Sequence, residues 1–271
     1  DQDLQLHDMM LQLVVDATRL TEAIRKQRFD EALSCLPRVF SWICSMNLRA
    51  AISFRDLSPN GQWLCGVIWD KYPGVCSLCA EPKCICPTWN TDELSIEQRT
   101  QIEANRKSHL DSARRMGQPP KTLDNWIDMF ESIYGTVNAT RSSATKMLHF
   151  WEEIGELEVE LRKADRVLNG AVPPEQAEEH SVIFWEAELA DVFSWLSSVY
   201  LHIRGYLRNA DRLLDAYRSR TSTVRQTSVP IGLFPFSEWV WTEYGTGRGV
   251  GLKCHRCGDP ICSCNVGFPR R

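Results

Sequence analysis

No run of apolar residues in this chain approaches the roughly 20 needed to span a bilayer, so a membrane-spanning helix is not expected. The first residues, from Asp1 to Asp8, lack the basic-then-apolar layout of a secretory leader. Excess positive charge is also missing. Lys and Arg total 31 against 35 Asp and Glu, a formal net charge of −4, which gives no broad attraction to nucleic acid. Alternating strand patterns are scarce, and only short extended pieces are expected, near 66–69 and 238–241. What remains is a 271-residue chain, 43% hydrophobic, with enough apolar material for one large domain or two modest ones.

Cysteine is abundant, and its placement is uneven. Of 11 cysteines, Cys35, Cys44 and Cys65 stand apart and eight fall in two tight clusters. Cys76, Cys79, Cys84 and Cys86 form the first, and Cys254, Cys257, Cys262 and Cys264 the second. Both read CxxC, a small residue, an acid, Pro, one further residue, then CxC. A secreted disulfide scaffold is usually shorter and has an even count. Each cluster reads better as four thiolates around one tetrahedral Zn²⁺ in a reducing, cytoplasmic setting, with iron–sulfur or redox-disulfide chemistry as the other uses. His255 lies inside the second cluster where the first has Ser77, so it is not assigned as a ligand.

The two clusters belong to a longer pattern. Met10-Leu11 matches Met147-Leu148, Val39-Phe40-Ser41-Trp42 matches Val192-Phe193-Ser194-Trp195, and Trp69-x-x-Tyr72 matches Trp241-x-x-Tyr244. The offsets rise from 137 through 153 and 172 to 178 at the cysteines, the order a colinear duplication with insertions requires. Apolar residues at three- and four-residue steps predict helices over 4–26 and 30–52 in the first half, and over 144–168 and 182–220 in the second. A polar helix over 96–115 follows the first knob, Pro119-Pro120 breaks it, and a helix restarts at Thr122. The expected architecture is an all-α antiparallel bundle built from a tandem repeat with two Cys₄ knobs. Its parts are a first repeat at 1–93, a helical connector at 94–143, and a second repeat at 144–271.

The second repeat carries Glu152-Glu153-x-x-Glu156 and Glu188-x-x-Asp191. Residues three or four apart share a helix face, so Glu153 with Glu156, and Glu188 with Asp191, project as pairs. Trp151, Ile154, Leu157, Leu189, Val192 and Phe193 flank them, which places these acids beside the apolar side of their helices. If the helices pack antiparallel, the carboxylates converge and repel one another until a hard cation such as Mg²⁺ or Mn²⁺ joins them. An exposed acidic face is the bland alternative.

EExxE followed by ExxD resembles the signature of the all-α nucleoside-triphosphate pyrophosphohydrolases, the MazG-like and dimeric dUTPase group. The resemblance covers roughly 147–220. It implies that Glu153, Glu156, Glu188 and Asp191 are Mg²⁺ ligands and that Glu152 or Glu153 accepts the proton of the attacking water. The products would be a nucleoside monophosphate and pyrophosphate. This chain departs from the family in the long segment 167–181 between the motifs, and in lacking the Lys and Asn often found on the following helix, where it has Tyr217, Arg218 and Arg220. Lys146 and His149 precede the motif and are candidates to offset phosphate charge, while Trp126, Trp151 and Trp185 are candidates to stack on a base or simply to fill the core.

In the first repeat, the positions of Glu152, Glu153, Glu156, Glu188 and Asp191 hold Val15, Asp16, Arg19, Cys35 and Arg38. That copy is expected to bind no Mg²⁺ and to supply the packing surface that a second subunit supplies in dimeric relatives; a homodimer is the oligomer the resemblance allows. Arg19 and Arg38 would reach substrate phosphates or face the acidic helices of the other half. A non-catalytic, zinc-stapled interaction module and a zinc-finger nucleic-acid binder are the rival readings, the second supported only by Lys83, Lys253, Arg256 and the Arg270-Arg271 end.

Overall fold

The computed structural model describes residues 5–53, 64–86, 96–168 and 180–220, together with 236 and 240. Among the described residues the fold is all-α, with no strand. The elements are α1 (Leu6–Arg25), α2 (Phe29–Ser53), α3 (Leu64–Lys71), α4 (Ile96–Met116), α5 (Leu123–Ala139), α6 (Ser143–Leu168) and α7 (His180–Arg220).

The three- and four-residue apolar rhythm becomes the buried stripe of each long helix. In α1 it runs through Leu6, Met9, Met10, Leu13, Ala17, Leu20 and Ile24. The Gln5 N–H donates to Asp8 Oδ2 at 3.3 Å and helps to satisfy the start of α1. The turn after the helix passes through Gln27, whose φ of 55° is left-handed, and Arg28 N–H donates back to Ala23 O at 2.8 Å. Glycine is the usual occupant of that position because it has no Cβ to clash. Thr122 caps α5, its Oγ1 accepting from Asn125 N–H at 3.2 Å. Pro37 sits inside α2, where its ring removes one backbone donor from the helix ladder.

α1 pairs with α2 and α6 with α7, while α2, α3 and α5 pack on α7 and α1 meets α6. One apolar core draws on both halves: Leu13, Leu20, Leu36 and Ile43 join Phe130, Phe150, Leu157, Trp185, Phe193 and Tyr200. The stretch 66–69, expected to be extended, is helical within α3. Val67 and Ile68 are buried, and packing of α3 on α7 decides the conformation against a weak local preference. The matching stretch 238–241 lies outside the described residues apart from Val240, which is helical. No described helix is long and apolar enough to cross a membrane.

Candidate metal centres

The antiparallel packing of α6 on α7 brings Glu153, Glu188 and Asp191 together, one carboxylate oxygen from each lying within 4.8 Å of the others. Glu156 is exposed and stands beside Glu188, outside the group of three. Glu152 is also exposed, and its Oε2 faces His149 Nδ1 at 3.0 Å.

Half-burial beside like charges has the expected electrostatic result. Glu153 is pushed up to about 8, first by burial and then by Asp191, Glu156 and Glu188. Glu188 rises to about 7, again through burial and the neighbouring acids, with Lys71 opposing the shift. Glu188 Oε2 is buried and has no hydrogen-bond partner among the described residues. A buried carboxylate oxygen without a donor is costly, and a cation at the convergence point removes that cost.

Three of the other carboxylate oxygens are held in place. Trp195 Nε1–H donates to Glu153 Oε1 at 3.2 Å, fixing the side chain from one turn further along α7. Lys71, the last residue of α3, ion-pairs with Asp191 and donates to Ala187 O at 3.2 Å. Tyr72 OH donates to the other Asp191 oxygen. Burial and the adjacent Asp191 charge hold the Tyr72 phenol well above its usual range, so it remains a donor.

Positions aligned in the two halves make the same contact. Trp42 Nε1–H donates to Asp16 Oδ2 at 3.0 Å, as Trp195 does to Glu153. Around Asp16, however, stand Arg19 Nη1 at 3.2 Å and Arg38 Nε at 3.5 Å. The arginines thus pair within their own half. A single buried acid already matched by two guanidinium groups has no charge left for a divalent cation.

The first cysteine cluster is assembled. Cys76, Cys79, Cys84 and Cys86 place their sulfurs within 4.8 Å of one another, with Cys76 and Cys86 sulfurs 3.7 Å apart, far longer than the roughly 2.05 Å of a disulfide. Leu78 N–H points at Cys76 Sγ (3.4 Å), and Ala80 N–H closes the knuckle on Cys76 O (2.8 Å) with a left-handed φ of 56°. The position matching Ala80 in the second cluster is Gly258. The Cys79 thiol is raised by burial, but the N–H groups of Ile85 and Glu81 together with the Cys76 and Cys86 thiols leave it lowered overall. Cys84 and Cys86 are pushed up by burial and by Cys76. The knob is tied to α5: Cys84 N–H donates to Ile133 O at 2.7 Å and Ser77 N–H to Tyr134 OH at 3.4 Å. The second cluster, Cys254, Cys257, Cys262 and Cys264, lies outside the described residues.

Among the aromatic candidates, Trp126 and Trp185 are buried core residues, and Trp151 Nε1–H donates to Thr21 Oγ1 at 2.9 Å across the α1–α6 contact. The tryptophan beside the acids is Trp195, visible in the sequence only as a repeat marker. Lys71 and Tyr72 were equally invisible as site residues, since no local pattern joins them to Asp191. No family model, curated protein or solved structure matches this chain.

Proposed function

We propose that this protein is a Mg²⁺-dependent nucleoside-triphosphate pyrophosphohydrolase of MazG-like type, built from a tandem repeat whose first copy has lost its metal site. The observation that carries the reading is the convergence of Glu153, Glu188 and Asp191 from two antiparallel helices, with a donorless buried oxygen on Glu188. Three clustered oxygen donors of this kind suit a hard cation. When bound, Mg²⁺ would neutralise phosphate charge and acidify a water molecule. Glu153, Glu188 and Asp191 would hold it, with Glu156 as a neighbouring ligand. Trp195 would keep Glu153 in register, and Lys71 and Tyr72 would do the same for Asp191. Glu153 and Glu152 are the candidates to take the proton of the attacking water. The raised pKa of Glu153 suits that task near neutral pH. His149, bonded to Glu152, would orient it.

The tandem repeat is supported by the matching Trp42–Asp16 and Trp195–Glu153 bonds. Zinc in the first knob is supported by the 3.7 Å sulfur separation, close to the edge of about 3.8 Å that a tetrahedron with Zn–S bonds near 2.3 Å would have, and zinc in the second by the same cysteine spacing in the sequence. Reduced thiolates in such sites fit a reducing compartment such as the cytoplasm. Lys71 favours a second reading. Its ammonium already balances Asp191, as a structural acidic cluster in a non-catalytic zinc-stapled module would require. A screen of standard and damaged nucleoside triphosphates for Mg²⁺-dependent pyrophosphate release separates the two.

A further inference from the structure

Along the same α6–α7 contact, away from the acids, the chemistry changes sign. Lys146 lies in the first turn of α6 and is 95% buried, at 5% relative exposure. Its Nζ donates to Arg141 O at 3.2 Å and faces His202 Nδ1 at 3.3 Å. Both partners are neutral acceptors, and no carboxylate among the described residues pairs with Lys146 or Arg141. Burial and the Arg141 charge both push Lys146 below the usual lysine range. Burial and Lys146 do the same for His202, which keeps its Nδ1 an acceptor.

A buried ammonium beside a guanidinium, without an acid, is an uncompensated charge pair. Two further features point the same way. The cluster sits at the N-terminus of the 26-residue α6, where backbone N–H groups and the helix dipole favour an anion. Ser198 shares the α7 face of Trp195 and His202 and is buried, and its Oγ has no hydrogen-bond partner among the described residues. Trp195 links this cluster to the acids. Its N–H holds Glu153, Arg141 lies over its ring at 5.2 Å, and His149 stacks on it at 4.6 Å.

We propose that Arg141, Lys146 and His202, with Ser198, form a phosphate-binding subsite about two helical turns from the acidic cluster, which receives the terminal phosphates of a nucleoside triphosphate. The phosphate chain as ligand rests on the nucleotide reading of the acidic cluster, whereas an anion site at this place does not. The arrangement divides the labour along one helix pair. The acids take the metal and the reacting end, and the cationic cluster takes the distal phosphates, which leave as pyrophosphate.

The test is calorimetric titration of the zinc-loaded full chain, free of Mg²⁺, with inorganic pyrophosphate and separately with sulfate. Pyrophosphate should bind, and Arg141→Gln and Lys146→Gln should each weaken it by about tenfold or more, the scale of a lost charge-assisted contact. Glu153→Gln should bind it at least as well as the parent. Should Lys146→Gln fail to fold, Arg141→Gln carries the test, since that side chain is only partly buried. Absence of pyrophosphate binding, unchanged affinity in Arg141→Gln, or sulfate binding as tight as pyrophosphate overturns the proposal. Pyrophosphate binding without hydrolysis of any nucleotide would leave the subsite standing and remove the enzymatic reading. Hydrolysis undisturbed in Arg141→Gln would do the reverse.

Discussion

Lys71 ion-pairs with Asp191 across 120 residues of sequence, placing a cation from the end of α3 against the acidic cluster of α6 and α7. With no divalent ion bound, this ammonium offsets part of the repulsion among Glu153, Glu188 and Asp191. Removing it should make the fold lean more heavily on added metal. Lys71→Met should lower the melting temperature in Mg²⁺-free buffer by a few degrees, about 1–3 kcal/mol for a partner lost from a part-buried pair. Mg²⁺ should restore most of the loss. A variant whose Mg²⁺ response in thermal unfolding equals that of the parent would show that Lys71 and the metal do not share a site.

The acids also set a pH dependence. Glu153 at about 8 and Glu188 at about 7 lie above the 4.5 of an ordinary glutamate, so the folded state binds protons that the unfolded state has released. Stability without Mg²⁺ should therefore be highest below about pH 4.5 as far as these two groups decide it, and should fall as pH rises towards 8. Urea midpoints measured from pH 5.5 to 8.5 should show this decline, and saturating Mg²⁺ should flatten or reverse it. Glu153→Gln should remove part of the slope. A midpoint that rises with pH in Mg²⁺-free parent protein would contradict the electrostatics of the cluster.

The helices were largely legible because their apolar spacing is explicit. α6 is expected over 144–168 and runs Ser143–Leu168, and α7 is expected over 182–220 and runs His180–Arg220. The pairing of acids three residues apart was legible for the same reason. α3 was not: eight residues containing Gly66, Val67 and Ile68 carry no helical period, and packing on α7 determines their state. Lys146 was legible as a basic residue before the motif, whereas Lys71, Tyr72, Arg141 and His202 were hidden because tertiary contacts alone bring them to the acids or to Lys146.

Zinc should be structural. Metal analysis should give two Zn²⁺ per chain, each with four sulfurs near 2.3 Å by X-ray absorption. Chelating it should loosen the first knob and, with it, the adjoining Lys71 and Tyr72 at Asp191, so Mg²⁺ affinity should fall together with zinc content. Full Mg²⁺ affinity in zinc-free protein would sever that connection, and disulfides in both clusters would end the zinc assignment.

The first repeat should matter for stability and not for turnover. Asp16 is buried and joins Trp42, Arg19 and Arg38, so Asp16→Asn should destabilise the fold by about 1.5–3 kcal/mol, the range for hydrogen bonds to a charged group. Hydrolysis measured below the melting range should be nearly unchanged. A loss of turnover in a folded Asp16→Asn protein would give the first repeat a catalytic part.

The most direct test of the central claim is pyrophosphate release by the zinc-loaded full chain, with and without Mg²⁺, over a panel of nucleoside triphosphates. At least one triphosphate should yield its monophosphate and pyrophosphate only when Mg²⁺ is present. Asp191→Asn and Glu156→Gln, each folded by circular dichroism, should abolish that release. No release from any triphosphate by the parent protein, or turnover in both variants equal to the parent, would contradict it.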